Sequence, residues 1–230
     1  MEFLLMLAPL EGVSDNAFRT LCYQNGADLT FTEMARVANL ARSKKGELEK
    51  ISITNDTPAQ IQLAGAKLPE YEKFLSGFKP TGGFRGFNLN LGCPSPEFIR
   101  QGLGAAMVKR ISRVNEIVKL IGTHGYDCSI KMRLGLDSYA KERGAYLTLI
   151  RSVDAQFFAV HAKTAKQKGE DRADFSVYSK CVETGKKIVA NGDIKTKSQV
   201  AELKKLGLYG AMIGRAAMEN PGIFRQLQVD

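Results

Sequence analysis

One cysteine in this chain is placed where a reactive group is useful. Cys93 follows the apolar run 87–91 and precedes Pro94-Ser95-Pro96, whose prolines stiffen the backbone and delay helix formation. A thiol has an ordinary pKa of about 8.5, so Cys93 could donate a proton or, with a lowered pKa, act as a nucleophile. The other three cysteines lack this placement and are predicted to be buried structural residues: Cys22, Cys128 and Cys181.

Several polar side chains end other apolar runs. Lys131 and Arg133 are two residues apart on one predicted strand, so they point to the same face. Inside a barrel they would have to meet an anionic or polar ligand; if the strand ends before them, they are simply solvated. His161 could contact a ligand or only hydrogen-bond to the backbone. Gln62 could hydrogen-bond to the edge of a heterocyclic ligand or to a neighbouring strand.

Two glycine-containing turns late in the chain favour a phosphate site; the alternative is that both are simple turns and Arg215 is a surface charge. Asn191-Gly192-Asp193 follows a buried strand, where a glycine lets a ligand approach the backbone. Gly214-Arg215 repeats this arrangement, adds a guanidinium and opens a short helix. Phosphate sites in barrel enzymes follow strands seven and eight, which is where these two turns fall if the chain is a barrel.

The elements that would position these residues alternate along the chain. The clearest helices are predicted at 15–25, 104–121 and 198–206, the last with Thr196 as its cap. Eight strands separated by helices predict a (β/α)8 TIM barrel of the α/β class, with a doubly wound open sheet as the alternative. The predicted strands span residues 3–8, 28–33, 58–64, 86–91, 127–132, 155–161, 186–190 and 209–213.

Composition and charge narrow the class of protein. The chain has 230 residues, of which 44% are hydrophobic and 25% charged, so disorder and a disulfide scaffold are excluded. The formal net charge of +9 favours a polyanionic partner, and without a CxxC pair a structural zinc site is not predicted. The early apolar run 3–10 is too short to span a membrane and lacks a basic leader, which favours a cytoplasmic protein.

The motifs around these residues, taken together, resemble the tRNA-dihydrouridine synthase family. The segment 7–15 (LAPLEGVSD) is similar to the family's opening motif, and 88–94 (NLNLGCP) to its active-site strand. Further matches run in family order across nearly the whole chain: 102–106 (GLGAA), 131–135 (KMRLG), 160–164 (VHAKT), 191–194 (NGDI) and 214–221 (GRAAMENP).

This resemblance implies an FMN enzyme that uses NADPH to reduce the C5–C6 double bond of uridine in RNA, most often tRNA. It implies hydride transfer from the flavin to C6, a proton from Cys93 to C5, and contacts from Asn90 and Arg133 to the uracil edge. The flavin contacts that it implies are Pro9, Leu10, Glu11, Gln62, Lys131 and His161, with phosphate contacts at Asn191, Gly192, Asp193, Gly214 and Arg215.

The sequence departs from the family at its end. Members usually continue into a helical RNA-binding domain, whereas this chain stops ten residues after Asn220, leaving room for one short helix at 223–228. We therefore expect residues 1–230 to form a single FMN-binding barrel without a separate C-terminal helical domain. An accessory subunit or an oligomer could then supply further contacts to RNA.

Charge placement predicts how such a barrel would bind RNA. The segments 36–50, 94–113, 131–143 and 162–173 carry net charges of +3, +3, +2 and +2, while the remaining residues together carry −1. In a barrel all four segments follow the carboxyl ends of strands, so the excess cations would form a basic catalytic face for RNA phosphates while a base is flipped into the pocket.

Two other functions remain open at this point. The first is a flavin-dependent oxidoreductase acting on a free pyrimidine, similar to dihydroorotate dehydrogenase, which would need no RNA-binding domain. The second is a non-catalytic RNA-binding protein that keeps a degraded barrel. Activity on free pyrimidine would favour the first, and the absence of flavin binding would favour the second.

Overall fold

The fold is a nearly closed parallel β-barrel surrounded by helices. The computed structural model describes residues 3–229. Each of the eight predicted strand regions contains a strand, which confirms the barrel prediction, and one additional short strand (β3) follows the second. The strands are β1 (Leu4–Leu7), β2 (Thr30–Phe31), β3 (Ala35–Arg36), β4 (Ala59–Ala64), β5 (Phe84–Leu91), β6 (Cys128–Arg133), β7 (Phe158–His161), β8 (Ile188–Asn191) and β9 (Gly210–Ile213).

All of the strand pairings are parallel, and their order closes the sheet. The hydrogen-bonded order is β1-β9-β8-β7-β6-β5-β4-β2, with β3 pairing with β4 further along the same edge. A parallel bridge between Met6 and Leu29 joins β1 to the start of β2. The short strands β2 and β3 together occupy the second position of the eight-stranded barrel.

Helices lie between the strands and cover the outer surface of the barrel. Two of them begin within one residue of the predicted start. Asp15, predicted as the first helical residue, instead caps the first helix by accepting from the Phe18 amide, and the predicted cap Thr196 forms a capping box with Gln199. The helices are α1 (Asn16–Gln24), α2 (Val37–Leu40), α3 (Lys45–Lys50), α4 (Leu68–Gly77), α5 (Pro96–Arg100), α6 (Ile111–Thr123), α7 (Ser138–Glu142), α8 (Ala145–Ser152), α9 (Val177–Val182), α10 (Lys197–Lys205), α11 (Arg215–Glu219) and α12 (Ile223–Leu227).

One predicted helix is divided in two. The region 104–121 forms a 3-10 helix, Gly104–Lys109, and then α6, with Arg110 in a non-helical conformation between them. The first piece is fastened to the strand-end cysteine, because the Ala105 amide donates to the Cys93 carbonyl at 3.0 Å. A side chain at position 104 would place its Cβ only 2.5 Å from that carbonyl oxygen, so glycine is required there.

The interior of the barrel has two different halves. Apolar side chains fill one half, around Met6, Phe31, Phe157, Val189 and Met212, as is usual for this fold. The other half, on β4, β5 and β6, is filled by buried amide and hydroxyl side chains: Gln60, Gln62, Asn88 and Ser129. The larger apolar core lies outside the barrel, between the strands and the helices.

Candidate active site

A cavity of about 290 Å³ opens at the carboxyl ends of the strands. Strand register brings distant parts of the chain together there, since Arg133 pairs with His161, His161 with Asn191, and Asn191 with Met212. Ten of the fourteen predicted site residues line this cavity: Pro9, Leu10, Lys131, Arg133, His161, Asn191, Gly192, Asp193, Gly214 and Arg215. The predicted residues that do not line it are Glu11, Gln62, Asn90 and Cys93.

The cavity wall carries a large excess of positive charge. Among residues 3–229, it contains six lysine and arginine side chains against one carboxylate, that of Asp193. The cations are Lys131, Arg133, Lys163, Lys168, Lys195 and Arg215. Like charges enclosed in one cavity repel each other unless an anion enters, so the wall is suited to a phosphorylated or otherwise anionic ligand.

Lys131 is the cation in this wall that most needs a ligand. Within residues 3–229 its ammonium has no hydrogen-bond or ion-pair partner, although its side chain is only partly exposed. Burial, reinforced by the neighbouring Arg133 guanidinium, lowers the pKa of Lys131 to about 8. A half-buried ammonium without a protein partner has lost part of its hydration, and an anionic or hydrogen-bond-accepting ligand in the cavity would compensate for that loss.

His161 is held in its neutral form. Burial is the main cause, and four nearby cations add to it, so that the pKa of His161 falls to about 2. These cations are Lys131, Arg133, Lys163 and Arg215. At neutral pH the imidazole therefore offers one donor and one acceptor nitrogen, rather than a positive charge, to a ligand in the cavity.

Asp193 connects the two loops predicted to bind phosphate, which follow β8 (residues 191–193) and β9 (residues 214–215). Its carboxylate accepts from Arg215 Nη2 at 2.5 Å, from the Ala173 amide at 3.0 Å, and lies 3.0 Å from Lys163 Nζ. Burial alone would raise the pKa of Asp193, but the Lys163 hydrogen bond, the Ala173 amide and the nearby positive charges hold it below its usual value. Arg215 also donates to the Gly169 carbonyl, which fixes the loop after β7 over the cavity.

Gly192 shapes the wall between these loops. Its φ angle of +116° is one that side-chain-bearing residues rarely adopt. A Cβ there would lie 2.8 Å from His161 Cδ2 and 3.2 Å from the Ala173 Cβ, so any larger residue would push into the imidazole. Glycine is therefore required at this turn, while the approach of a ligand to its backbone stays a prediction.

Arg133 is partly committed to the protein. Its Nη1 donates to the carbonyls of Thr164 and Gln167, at 2.7 and 3.3 Å. Burial lowers the pKa of the guanidinium, which still stays charged at any physiological pH. The other guanidinium nitrogens make no hydrogen bond to residues 3–229, and the side chain lines the cavity.

Cys93 lies beside the cavity, on the turn between β5 and α5. It is half-buried, and its backbone amide donates to Asn90 Oδ1 at 2.9 Å. Cys22, Cys128 and Cys181 are buried, and burial raises the pKa of each thiol, to about 12 for Cys22 and Cys181. Of the four cysteines, Cys93 is the one that is not buried, and it follows the carboxyl end of β5; the other three are buried, as predicted.

Two predicted flavin contacts are occupied by protein groups. Gln62 is 1% exposed, and its amide bonds to Asn88 and Asn90, which is the strand-satisfied alternative considered from the sequence. Glu11 lies on the outer rim and forms an ion pair with Lys50. Both remain predictions as cofactor contacts.

Sequence reasoning missed three cations of the wall: Lys163, Lys168 and Lys195. The position of Lys163 could have been noticed, because it lies two residues after His161 at the end of a strand. Residues two apart along a strand direction point to the same face, so Lys163 would be expected on the same side as His161. The other two are on loops, where no spacing rule predicts the direction of a side chain.

Comparison with known proteins shows which family this sequence matches. The sequence model described as dihydrouridine synthase matches residues 6–230. The chain belongs to the dihydrouridine synthase family. Members of this family are flavin-dependent oxidoreductases, so membership identifies the chain as an enzyme of that class.

Curated relatives agree with this family, and a solved structure agrees with the fold. The tRNA-dihydrouridine synthase B of Pseudomonas putida is 28% identical over 97% of this chain and 67% of its own length. A probable tRNA-dihydrouridine synthase of Rickettsia conorii is 30% identical over 97% of this chain and 69% of its own. The DHODH structure of Eimeria tenella, 10% identical, superposes with a TM-score of 0.63 over 97% of this chain and 78% of its own, which supports the fold alone.

The chain thus spans about two thirds of the length of these curated relatives. Within residues 3–229, no helix is both long enough and apolar enough to cross a membrane.

Proposed function

We propose that this protein reduces uridine to 5,6-dihydrouridine in tRNA, with FMN as its cofactor and NADPH as the reductant. The single observation that carries the proposal is the unpartnered Lys131 in a cationic cavity, one strand away from the turn that holds Cys93. Asn90, at the start of that turn, is the register partner of Lys131 on β6. Family membership supports the reaction, and the cavity supports the cofactor.

The cavity fits a phosphorylated flavin in charge, shape and donor set. In the described part of the chain, its cations outnumber its one carboxylate and Lys131 has no partner. Gly192 keeps the wall open beside His161. We propose that Asn191, Gly192, Asp193, Gly214 and Arg215 hold the phosphate end of FMN, and that Pro9, Leu10, Lys131 and His161 border its ring. When bound there, FMN supplies the hydride chemistry that no amino-acid side chain provides.

The residues of the chain would orient the base and supply the proton. Cys93 is half-buried on the active face, where a protonated thiol can donate to C5 of uracil. Arg133, with guanidinium nitrogens not engaged by the protein, would donate to the uracil edge, and so would the remaining amide hydrogen of Asn90. The loop after β7, tied down by Arg133 and Arg215, would limit access of water to the site.

Exposed cations around the cavity would hold the RNA. The four basic segments follow the carboxyl ends of β3, β5, β6 and β7, as expected from the sequence. Their exposed members lie on the segments that follow these strands: Arg42, Lys44, Lys45, Arg100, Lys109, Arg110, Arg143, Lys166, Lys168 and Arg172. We propose that this basic rim binds the RNA backbone, while the target base leaves its stack to enter the site.

Mass analysis of RNA tests the proposed function. The purified protein, supplied with FMN and NADPH, is expected to add two hydrogens to uridine in unmodified tRNA transcripts. A parallel incubation with free uracil, uridine and orotate should give no reduced product. Reduction of a free pyrimidine without reduction of tRNA would replace the proposed substrate class, and no consumption of NADPH with any substrate would refute the function.

A further inference from the structure

A line of neutral polar side chains crosses one half of the barrel interior. Gln62, Asn88 and Ser129 occupy neighbouring register positions on β4, β5 and β6, and Gln60 lies one layer below Gln62. Asn88 and Ser129 are 0% exposed, and Gln60 and Gln62 are 1% exposed. Barrel interiors are normally filled by branched apolar side chains, as the other half of this interior is, so this polar line needs an explanation.

The line is a continuous chain of hydrogen bonds that starts at the Cys93 turn. The backbone amides of Gly92 and Cys93 donate to Asn90 Oδ1, at 3.1 and 2.9 Å. From there the donors all point away from the active face: Asn90 Nδ2 to Gln62 Oε1 (2.9 Å), Gln62 Nε2 to Asn88 Oδ1 (2.7 Å), Asn88 Nδ2 to Ser129 Oγ (2.7 Å), Ser129 Oγ to Gln60 Oε1, and Gln60 Nε2 to the Arg85 carbonyl (3.2 Å).

Both ends of this chain fix its direction. The backbone amides of Gly92 and Cys93 can only donate, so the oxygen of Asn90 must face them. The Arg85 carbonyl can only accept, so the nitrogen of Gln60 must face it. Rotating any amide between these ends would set donor against donor on one side and acceptor against acceptor on the other.

Burial makes the chain act as a unit. With no access to water, a broken bond leaves a buried polar group unsatisfied, and that group keeps its full desolvation cost. The Asn90 amide therefore cannot rotate alone, although its own side chain is only partly buried. The turn that carries Cys93 is consequently fixed by residues lying deep inside the barrel.

We infer that Gln60, Asn88 and Ser129 are positioning residues that hold the Asn90 amide, and through it the turn carrying the Cys93 thiol. The effect of these three residues on the reaction rests on the proposed function, in which Cys93 donates the proton. Their effect on the position of the thiol is independent of any activity.

Alkylation of Cys93 measures this positioning directly. Iodoacetamide is added to the folded protein and the modified peptides are quantified over time; the other three cysteines are buried. Ser129→Ala removes the hydroxyl at the middle of the chain and frees the Asn90 turn to open. Cys93 should then be alkylated about fivefold faster, the factor that one lost hydrogen bond represents.

A matched control lies at the end of the same line. Gln156 accepts from Gln60 Nε2 but is exposed, and the Arg85 carbonyl still fixes Gln60 without it. In Gln156→Ala, Cys93 should therefore be alkylated at the wild-type rate. If Ser129→Ala does not fold, Gln60→Met, which keeps the length of the side chain but removes its amide, should give the same direction of change.

Turnover provides a second readout. In Ser129→Ala, kcat for tRNA reduction should fall about tenfold, with KM for tRNA and the rate of flavin reduction by NADPH unchanged. Unaltered alkylation of Cys93 in both Ser129→Ala and Gln60→Met, or an equal acceleration in Gln156→Ala, would overturn the inference. If the wild-type protein reduces no uridine, the proposed function fails, while the alkylation rates still decide this point.

Discussion

Lys163 Nζ lies 3.0 Å from Asp193 Oδ2. Asp193 is on the loop after β8, one of the two loops predicted to bind phosphate. Lys163 is 1% exposed, so its charge is held almost entirely by Asp193 and by the Gly169 carbonyl. The pair joins the loop after β7 to the loop after β8. Asp193 in turn holds Arg215, so three loops of the active face depend on one carboxylate.

Loss of the Lys163 charge should weaken the folded state. Lys163→Met leaves Asp193 with Arg215 and the Ala173 amide, and we expect the free energy of unfolding to fall by about 2 kcal/mol. Urea denaturation measures the change. Lys166→Met removes an exposed lysine from the same loop, where the ion pair with Asp137 is solvated, and should have a much smaller effect. Equal effects of the two substitutions would contradict the structural role of the Lys163–Asp193 pair.

Lys131 should make cofactor binding depend on pH. Its pKa of about 8 means that the ammonium is charged below that pH and neutral above it, so its charge-assisted hydrogen bond to the acceptor atoms of the flavin ring weakens as pH rises through 8. The Kd for FMN, measured by quenching of flavin fluorescence, should rise about tenfold between pH 7 and pH 9. Lys131→Met should bind weakly with no such dependence, whereas Lys168→Met should retain it. The same slope in Lys131→Met and wild type would exclude Lys131 as its source.

Substituting two glycines distinguishes the effect of backbone strain from the effect of a side chain that fills part of the cavity. Gly185 and Gly192 both have positive φ angles, but a Cβ on Gly185 meets nothing within 4 Å, whereas one on Gly192 meets His161. Gly185→Ala should cost about 1 kcal/mol of stability and leave FMN binding intact. Gly192→Ala should cost more and abolish FMN binding, as shown by the absorbance of the purified protein. Retention of flavin by Gly192→Ala would show that this wall does not border the cofactor.

Charge reversal tests the basic rim. Arg42, Lys44 and Lys45 are exposed on the segment after β3. Changing all three to Glu should weaken tRNA binding and reduce the slope of log Kd against log salt by about two to three. Reversal of Lys73, Lys79 and Lys119, which are exposed away from the carboxyl ends of the strands, is the matched control and should change neither quantity appreciably. Unchanged affinity and slope in the first variant would place the RNA elsewhere.

Much of this architecture could be predicted from the sequence because it rests on local patterns. Apolar runs identify the strands, and the pairs Asp15–Phe18 and Thr196–Gln199 start helices through contacts between near neighbours in the chain. The break at Arg110 could not be predicted, since it depends on a hydrogen bond from Ala105 to Cys93, twelve residues apart in sequence. Strand ends likewise indicate most of the cavity wall.

The direction of individual side chains was less accessible. Asn90 and Gln62 stand at strand ends like the cavity residues, yet their amides bond to the protein because neighbouring strands present matching groups in register. Lys168 and Lys195 reach the cavity from loops that carry no periodic pattern. Both cases depend on contacts between distant segments, which spacing in one sequence does not reveal.

In the proposed reaction, Cys93 supplies the proton to a base that is reduced at the flavin. The rate at which tRNA reoxidises the NADPH-reduced enzyme, followed by flavin absorbance under anaerobic conditions, should therefore differ between wild type and Cys93→Ala. We expect the tRNA-dependent rate to fall at least about 100-fold in the variant, with FMN content and the rate of reduction by NADPH unchanged. Equal reoxidation by tRNA in the two proteins would contradict this role of Cys93.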